Sequence, residues 1–248
     1  MCVNSEKVRI NKFLSDSGFC SRREADRAVD DGRVTVDGIT AVTGMTVSRD
    51  QIICVDGQRL NDAGGTVLIA VNKPRGIVCT TESGEKNNIV DFIGYPERIY
   101  PIGRLDKDSE GLILMTNSGD LVNRMMRSRY GHEKEYMVTV HRPVTKTFVD
   151  KMRAGVPILG TMTRECIVER IGGRKFRIVL TQGMNRQIRR MCEHLNYEVV
   201  SLKRIRILNI ELGGLKEGEY RDVTKEERKV LLAMTERSRE SGRERKQN

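Results

Sequence analysis

The 248-residue chain has no tryptophan, only 4% aromatic residues and three histidines. His132, His141 and His194 are too dispersed to build a metal site. The six cysteines, Cys2, Cys20, Cys54, Cys79, Cys166 and Cys192, include no C-x-x-C pair and no Cys/His cluster at zinc spacing, so reduced thiols and no metal are expected. No G-x-G-x-x-G opens a helix and no G-x-x-x-x-G-K-[ST] occurs, so neither a dinucleotide nor a nucleoside triphosphate is implied. No run approaches the roughly 20 apolar residues that span a bilayer, and the N-terminus lacks the apolar stretch of a signal peptide. A cytoplasmic protein with no membrane partner is expected. The absence of a long heptad pattern suggests a monomer. With no cofactor motif, any chemistry falls to side chains.

What the chain has is positive charge. Lys plus Arg number 44 against 34 Asp plus Glu, a formal net charge of +10 with a pI near 9.5. That balance points to a polyanionic partner, RNA or DNA first. The length allows one large domain, or a large and a small one.

The N-terminal part reads as a small module. Ile10, Phe13 and Leu14 recur at helical spacing up to Gly18. Ser21 with Glu24 forms a capping-box signature for a second helix striped by Ala25, Ala28 and Val29 and ended by Gly32. Val34 and Val36 then alternate with polar residues up to Asp37-Gly38, a hairpin dipeptide. Lys12, Arg22, Arg23, Arg27 and Arg33 would supply a phosphate-contacting face, although a merely solvated face has the same composition. Asp56-Gly57 and then Asn61, Asp62, Gly64 and Gly65 read as a linker.

Beyond it, Val67 to Val71 and Ile113 to Met115 suggest buried strands, with further strands at Tyr136 to Val140, Cys166 to Arg170 and Phe176 to Leu180. Helices are expected at Asp120 to Met126, Val144 to Arg153, Gln187 to Leu195 and Thr224 to Met234, and a disordered basic tail at 236–248. The mixed order predicts an α+β body around one large sheet. Between two of its strands lies GRLDKDSEGL, residues 103–112. Flanked by Arg104 and Lys107, Asp106 is expected to stay ionised and available as a nucleophile. A charged surface turn would read the same way.

The stretch from Arg9 to about Val55 resembles the S4 RNA-binding domain, which implies structured RNA as target. GRLDKDSEGL, KEYMVTV at 134–140 and QGMNRQIRRMCEHLNYEV at 182–199 together resemble the motifs of the RsuA/RluB/RluE/RluF family of bacterial RNA pseudouridine synthases. The resemblance implies a small S4-like α/β domain at 7–60 and a catalytic domain at 64–235 built on a large mixed, mainly antiparallel sheet with flanking helices. It also implies a cofactor-free isomerase that detaches a uracil of 23S ribosomal RNA, turns it and rejoins it through C5, with transfer RNA left open as a second substrate. Asp106 matches the family's nucleophile, Tyr136 its base-stacking tyrosine, and Arg189 the cation paired with the aspartate. Arg104 matches a residue beside the flipped nucleotide, and Lys73 one that supports the active-site loop and is counted with the RNA contacts. Arg186 and Arg190, at i and i+4, are phosphate contacts by their own spacing. Two other readings compete. One is a non-catalytic S4-type assembly factor; the other is a glycosidase-like acid and base formed by Asp106 and Glu110.

Overall fold

The computed structural model describes residues 7–60, 65–82, 84–126 and 131–244, with side chains described as far as Glu236. Among the described residues two compact units emerge, one of residues 7–60, 65–66, 96–98 and 117–119, the other of the rest.

In the first unit, β1 (Val8–Arg9) leads into α1 (Ile10–Asp16) and α2 (Arg22–Asp30). Short strands follow: β2 (Val34–Val36), β3 (Ile39–Thr40), β4 (Thr46–Val47), β5 (Ile53–Val55) and β6 (Gln58–Arg59). The capping box forms as its spacing predicts: the Ser21 hydroxyl accepts from the Glu24 N–H and the Glu24 carboxylate accepts from the Ser21 N–H. Asp37 and Gly38, both at positive φ, turn β2 into β3. Asp56-Gly57 repeats that device between β5 and β6, so it belongs to a four-stranded sheet ordered β3-β2-β5-β6 and not to a linker. Asn61, Asp62 and Gly64 of the expected linker lie outside the described residues. Ile10, Leu14, Ala25, Val29, Val34, Val47 and Ile53 form the unit's core.

The second unit is built on a nine-stranded sheet. Its elements in order are β7 (Leu68–Lys73), α3 (Ile89–Ile93), β8 (Tyr100–Ile102), β9 (Glu110–Thr116), α4 (Gly119–Met126) and β10 (Lys134–Val140). Then come α5 (Lys146–Ala154), the β11 (Pro157–Ile158) and β12 (Thr161–Met162) hairpin, β13 (Ile167–Arg170), β14 (Lys175–Leu180) and α6 (Gln187–His194). The chain closes with β15 (Val199–Ile207), β16 (Ile210–Glu211), β17 (Tyr220–Asp222) and α7 (Lys225–Glu244). The order across the sheet is β13-β14-β10-β15-β9-β7-β17; β15 and β9 run parallel and the other pairs antiparallel. The expected mixed, mainly antiparallel sheet is therefore present.

Strands β7 and β9 read as continuous apolar runs because both of their faces are covered. Leu68, Ala70, Leu112 and Leu114 enter one core with Ile207, Ile210 and Leu231, while Ile69, Val71, Ile113 and Met115 enter another with Ile89, Ile99 and Leu105. A third core joins Val138, Phe148, Met152, Phe176, Ile178, Met191 and Leu202. α7 extends beyond the expected end at Met234, so residues 236–244 continue a helix where disorder was expected.

Candidate active site

GRLDKDSEGL forms the loop between β8 and β9, and its sequence explains its shape. Gly103 leaves β8 at φ +84°, and Leu105 is buried, its N–H donating to the Cys79 thiol at 3.3 Å. The Ser109 N–H donates to the Asp106 carbonyl at 3.0 Å, closing a turn, and the Gly76 N–H donates to the Lys107 carbonyl at 2.8 Å. Gly111 sits at φ +102° beside Arg204 of β15, where an added Cβ would lie 2.2 Å from the Arg204 carbonyl oxygen. Only glycine lets these two parallel strands approach so closely.

Tyr136 stands on β10 opposite Ile178 of β14 and Arg204 of β15. Its neighbour Glu135 points to the opposite face, where Arg177 and Arg206 grip its carboxylate at 2.5 and 2.7 Å. Although burial alone would raise its pKa, these two guanidiniums hold Glu135 below the usual carboxylate range. That clamp fixes the strand, and with it the half-buried Tyr136.

Arg189, on α6, is buried, with 7% of its surface exposed. Its Nη2 donates to the Asp108 carbonyl at 3.0 Å and the Ser109 hydroxyl at 3.4 Å, and Nη1 to the Val199 carbonyl at 3.4 Å. Arg189 therefore grips the backbone of the Asp106–Ser109 turn; among the described residues no ion pair joins it to the Asp106 carboxylate, contrary to the pairing expected from the family. Burial and the nearby Arg186 bring its pKa below the ordinary arginine value, with Asp106 and Asp108 acting the other way.

Asp106, Tyr136 and Arg189, drawn from three separate segments, line one cavity of about 290 Å³, which Arg104 and Arg186 also reach. This is near the lower end of the size range of small-ligand clefts. Arg186, in a left-handed conformation at the start of α6, approaches Asp108 at 3.9 Å. Arg190 does not line the cavity; it donates to the carbonyl and side-chain oxygens of Asn185 at 3.1 and 3.3 Å. Glu110, the other member of the glycosidase-like pair, does not line it either.

Lys73 requires a correction. It is 0% exposed, and its ammonium donates to the Pro74 and Ile77 carbonyls at 2.8 Å each, so it braces the turn beneath the loop and cannot meet an RNA phosphate. Burial lowers its pKa. In the first unit Arg22, Arg23 and Arg27 lie exposed along α2, while Lys12 pairs with Asp16 at 3.1 Å and Arg33 is held by Asp56.

Three further basic residues line the cavity without having been singled out by sequence: His132, Lys134 and Arg204. Burial, assisted by Arg204, pushes the Lys134 pKa down to about 8. The available signal for Arg204 is a cation at an apolar-face position of a strand, two residues after the buried Leu202.

A loop-borne carboxylate, a strand tyrosine and a buried arginine around one base-sized cavity, in a chain that also carries a basic module, define the class. Residues 67–194 match the RNA pseudouridylate synthase family and residues 8–53 match the S4 domain. The chain belongs to the RNA pseudouridylate synthase family, and it is an RNA pseudouridine synthase, an isomerase. It is 53% identical to the dual-specificity RNA pseudouridine synthase RluF of Escherichia coli (strain K12), over 93% of this chain and 80% of that protein. Ribosomal large subunit pseudouridine synthase B of Bacillus subtilis (strain 168) is 31% identical, over 92% of this chain and 97% of its own length. A crystal structure of a pseudouridylate synthase superposes with a TM-score of 0.67 at 28% identity, covering 90% of this chain and 99% of that one.

Proposed function

We propose that this isomerase converts a specific uridine of 23S ribosomal RNA to pseudouridine, with Asp106 as nucleophile, Tyr136 against the base and Arg189 holding the Asp106 turn in place. One observation carries the reading: three residues from distant segments, each matching a family motif, line the same cavity. The target uridine leaves its helix to enter, at a cost of a few kcal/mol that is least for an unpaired base. Arg104, exposed at the cavity, fills the space the base vacates, a use suited to a planar cation. Asp106 promotes rupture of the C1′–N1 bond, Tyr136 keeps the detached ring in place while it turns, and a proton is removed from C5 once the C1′–C5 bond has formed.

Arg22, Arg23 and Arg27 of the first unit contact phosphates. The enzyme works as a monomer in the cytoplasm. Among the described residues no helix is long and apolar enough to cross a membrane. The RluF relatives are named for a dual specificity, so transfer RNA is included as a second substrate in the test. Ribosomal and transfer RNA labelled with tritium at uridine C5 are incubated with the protein, and label released to water is counted. Release from 23S RNA is expected; RNA bound without release would favour the non-catalytic reading, and free uracil would favour glycosidic cleavage.

A further inference from the structure

The floor of the cavity carries more positive charge than the chemistry described so far uses. Arg204 is 2% exposed, lines the cavity and stands on the same sheet face as its cross-strand partner Tyr136. Its Nε donates to the Leu112 carbonyl at 2.6 Å, its Nη2 has no hydrogen-bond partner, and among the described residues it forms no ion pair. The close approach at Gly111 fixes its backbone directly beside the strand that follows the Asp106 loop. Lys134, two residues before Tyr136, lines the same cavity and, among the described residues, its ammonium donates to the His132 carbonyl alone, at 3.2 Å. A buried guanidinium and an ammonium without a carboxylate are costly in the resting protein. Such a cost is recovered when an anion arrives or forms beside them.

Two anions are available in RNA. A phosphodiester is permanently charged and bulky, and the exposed Arg104 and the half-buried Arg186 suit it. Buried cations beneath the tyrosine match instead an anion that appears only during reaction. When C1′–N1 breaks, its electron pair leaves with N1 and spreads to O2 and O4, so the detached uracil is an anion. If Asp106 takes C1′, a C1′–O bond forms as C1′–N1 breaks. Later the C5 carbon supplies the pair for C1′–C5, the carboxylate departs with its own pair, C5 loses its proton and N1 takes one up.

Resting on the function proposed above, we propose that Arg204, backed by Lys134, is a further catalytic residue: its buried guanidinium, with no ion-pair partner among the described residues, stabilises the negative charge that glycosidic cleavage releases on the departing uracil in the cavity it lines. This is preorganised electrostatic stabilisation aimed at charge that develops in the transition state.

The test uses the full chain and large-subunit ribosomal RNA transcribed with either uridine or 5-fluorouridine, followed by single-turnover loss of the target nucleotide. Fluorine withdraws electrons from the ring and makes the base a better leaving group, so help from Arg204 is needed less. Arg204→Met is expected to slow uridine consumption about 100-fold, the scale on which one oxyanion donor counts, and 5-fluorouridine consumption at least tenfold less severely than that. Arg204→Lys, which keeps a charge, is expected to recover at least tenfold on uridine and to show the same inequality in smaller measure. An equal loss on both RNAs, or no loss in a variant that melts like the wild type, overturns the assignment. Should Arg204→Met fail to fold, the ratio in Arg204→Lys decides by the same criterion. A wild type that consumes neither RNA would instead remove the proposed function, and this assignment with it.

Discussion

Gly111→Ala is the sharpest structural prediction, because two costs fall on one methyl group. At φ +102° an alanine occupies a conformation that L-residues rarely adopt, worth on the order of 1–3 kcal/mol. The added Cβ would also meet the Arg204 carbonyl oxygen at 2.2 Å and the Arg204 nitrogen at 2.8 Å, both backbone atoms that cannot rotate away. Relieving that contact means parting β9 from β15 at Lys203–Glu110 and Arg204–Gly111, the parallel register in the centre of the sheet. Together the costs come to roughly 3–5 kcal/mol, the tail reserved for named structural lesions. Gly76→Ala is the control: it shares a positive φ of +89° but an added Cβ meets nothing within 4 Å, so only the conformational cost applies. Denaturant titration of both variants against the wild type measures the difference. At about 2–4 °C per kcal/mol, Gly111→Ala is expected to melt roughly 6–20 °C lower. Equal destabilisation of the two variants, or a Gly111→Ala within about 1 kcal/mol of the wild type, would refute the argument from close approach.

Arg189→Lys removes the planar fork that joins the Asp108 carbonyl and Ser109, held by Nη2, to the Val199 carbonyl, held by Nη1; turnover is expected to fall at least tenfold with RNA affinity nearly unchanged, and a parallel loss of affinity in a binding titration would contradict the positioning role. Changing Arg22, Arg23 and Arg27 together to Gln is expected to reduce the slope of log affinity against log salt by about two, at roughly 0.7–0.9 for each phosphate no longer neutralised; an unchanged slope would show that α2 does not touch the backbone of the RNA. For Lys134 the sign follows from its lowered pKa. Between about pH 8 and its ordinary value of 10.5 the unfolded chain binds the proton that the folded chain has released, so this residue makes stability rise with pH across that window. The wild type is therefore expected to gain stability relative to Lys134→Met as pH rises from 8 to 10.5, read as a growing difference in denaturation midpoints; a constant difference would mean the ammonium is not desolvated.

Much of the fold is legible in the sequence where local chemistry decides structure. The Ser21/Glu24 capping box, the Asp37-Gly38 turn and the paired apolar runs of β7 and β9 all form because each is dictated within a few residues. Asp56-Gly57 reads as a linker since a hairpin turn and a linker share the same residues, and only the pairing of β6 with β5 separates them. β15 escapes a sequence reading because VVSLKRIRI carries three cations; its central place depends on pairing with β10 and β9, which are distant in sequence. For Lys73 the resemblance to a loop-supporting residue agrees with its place under the turn, but counting it with the RNA contacts does not, because whether two carbonyls wait for an ammonium is not written in the residues beside it. Asp106, Tyr136 and Arg189 follow from the resemblance of their motifs to those of the family, but the basic floor of the cavity does not, as Arg204 gains meaning only once Gly111 brings β9 against it.

Every assignment at this site depends on Asp106 being the reacting carboxylate of a base-sized cavity. Single-turnover release of tritium from C5-labelled 23S ribosomal RNA by wild type and Asp106→Asn, measured beside the affinity of each for that RNA, tests it most directly. Loss of release below detection in Asp106→Asn with affinity changed less than about threefold (under 1 kcal/mol) is predicted. Release by Asp106→Asn at a rate near that of the wild type would contradict it.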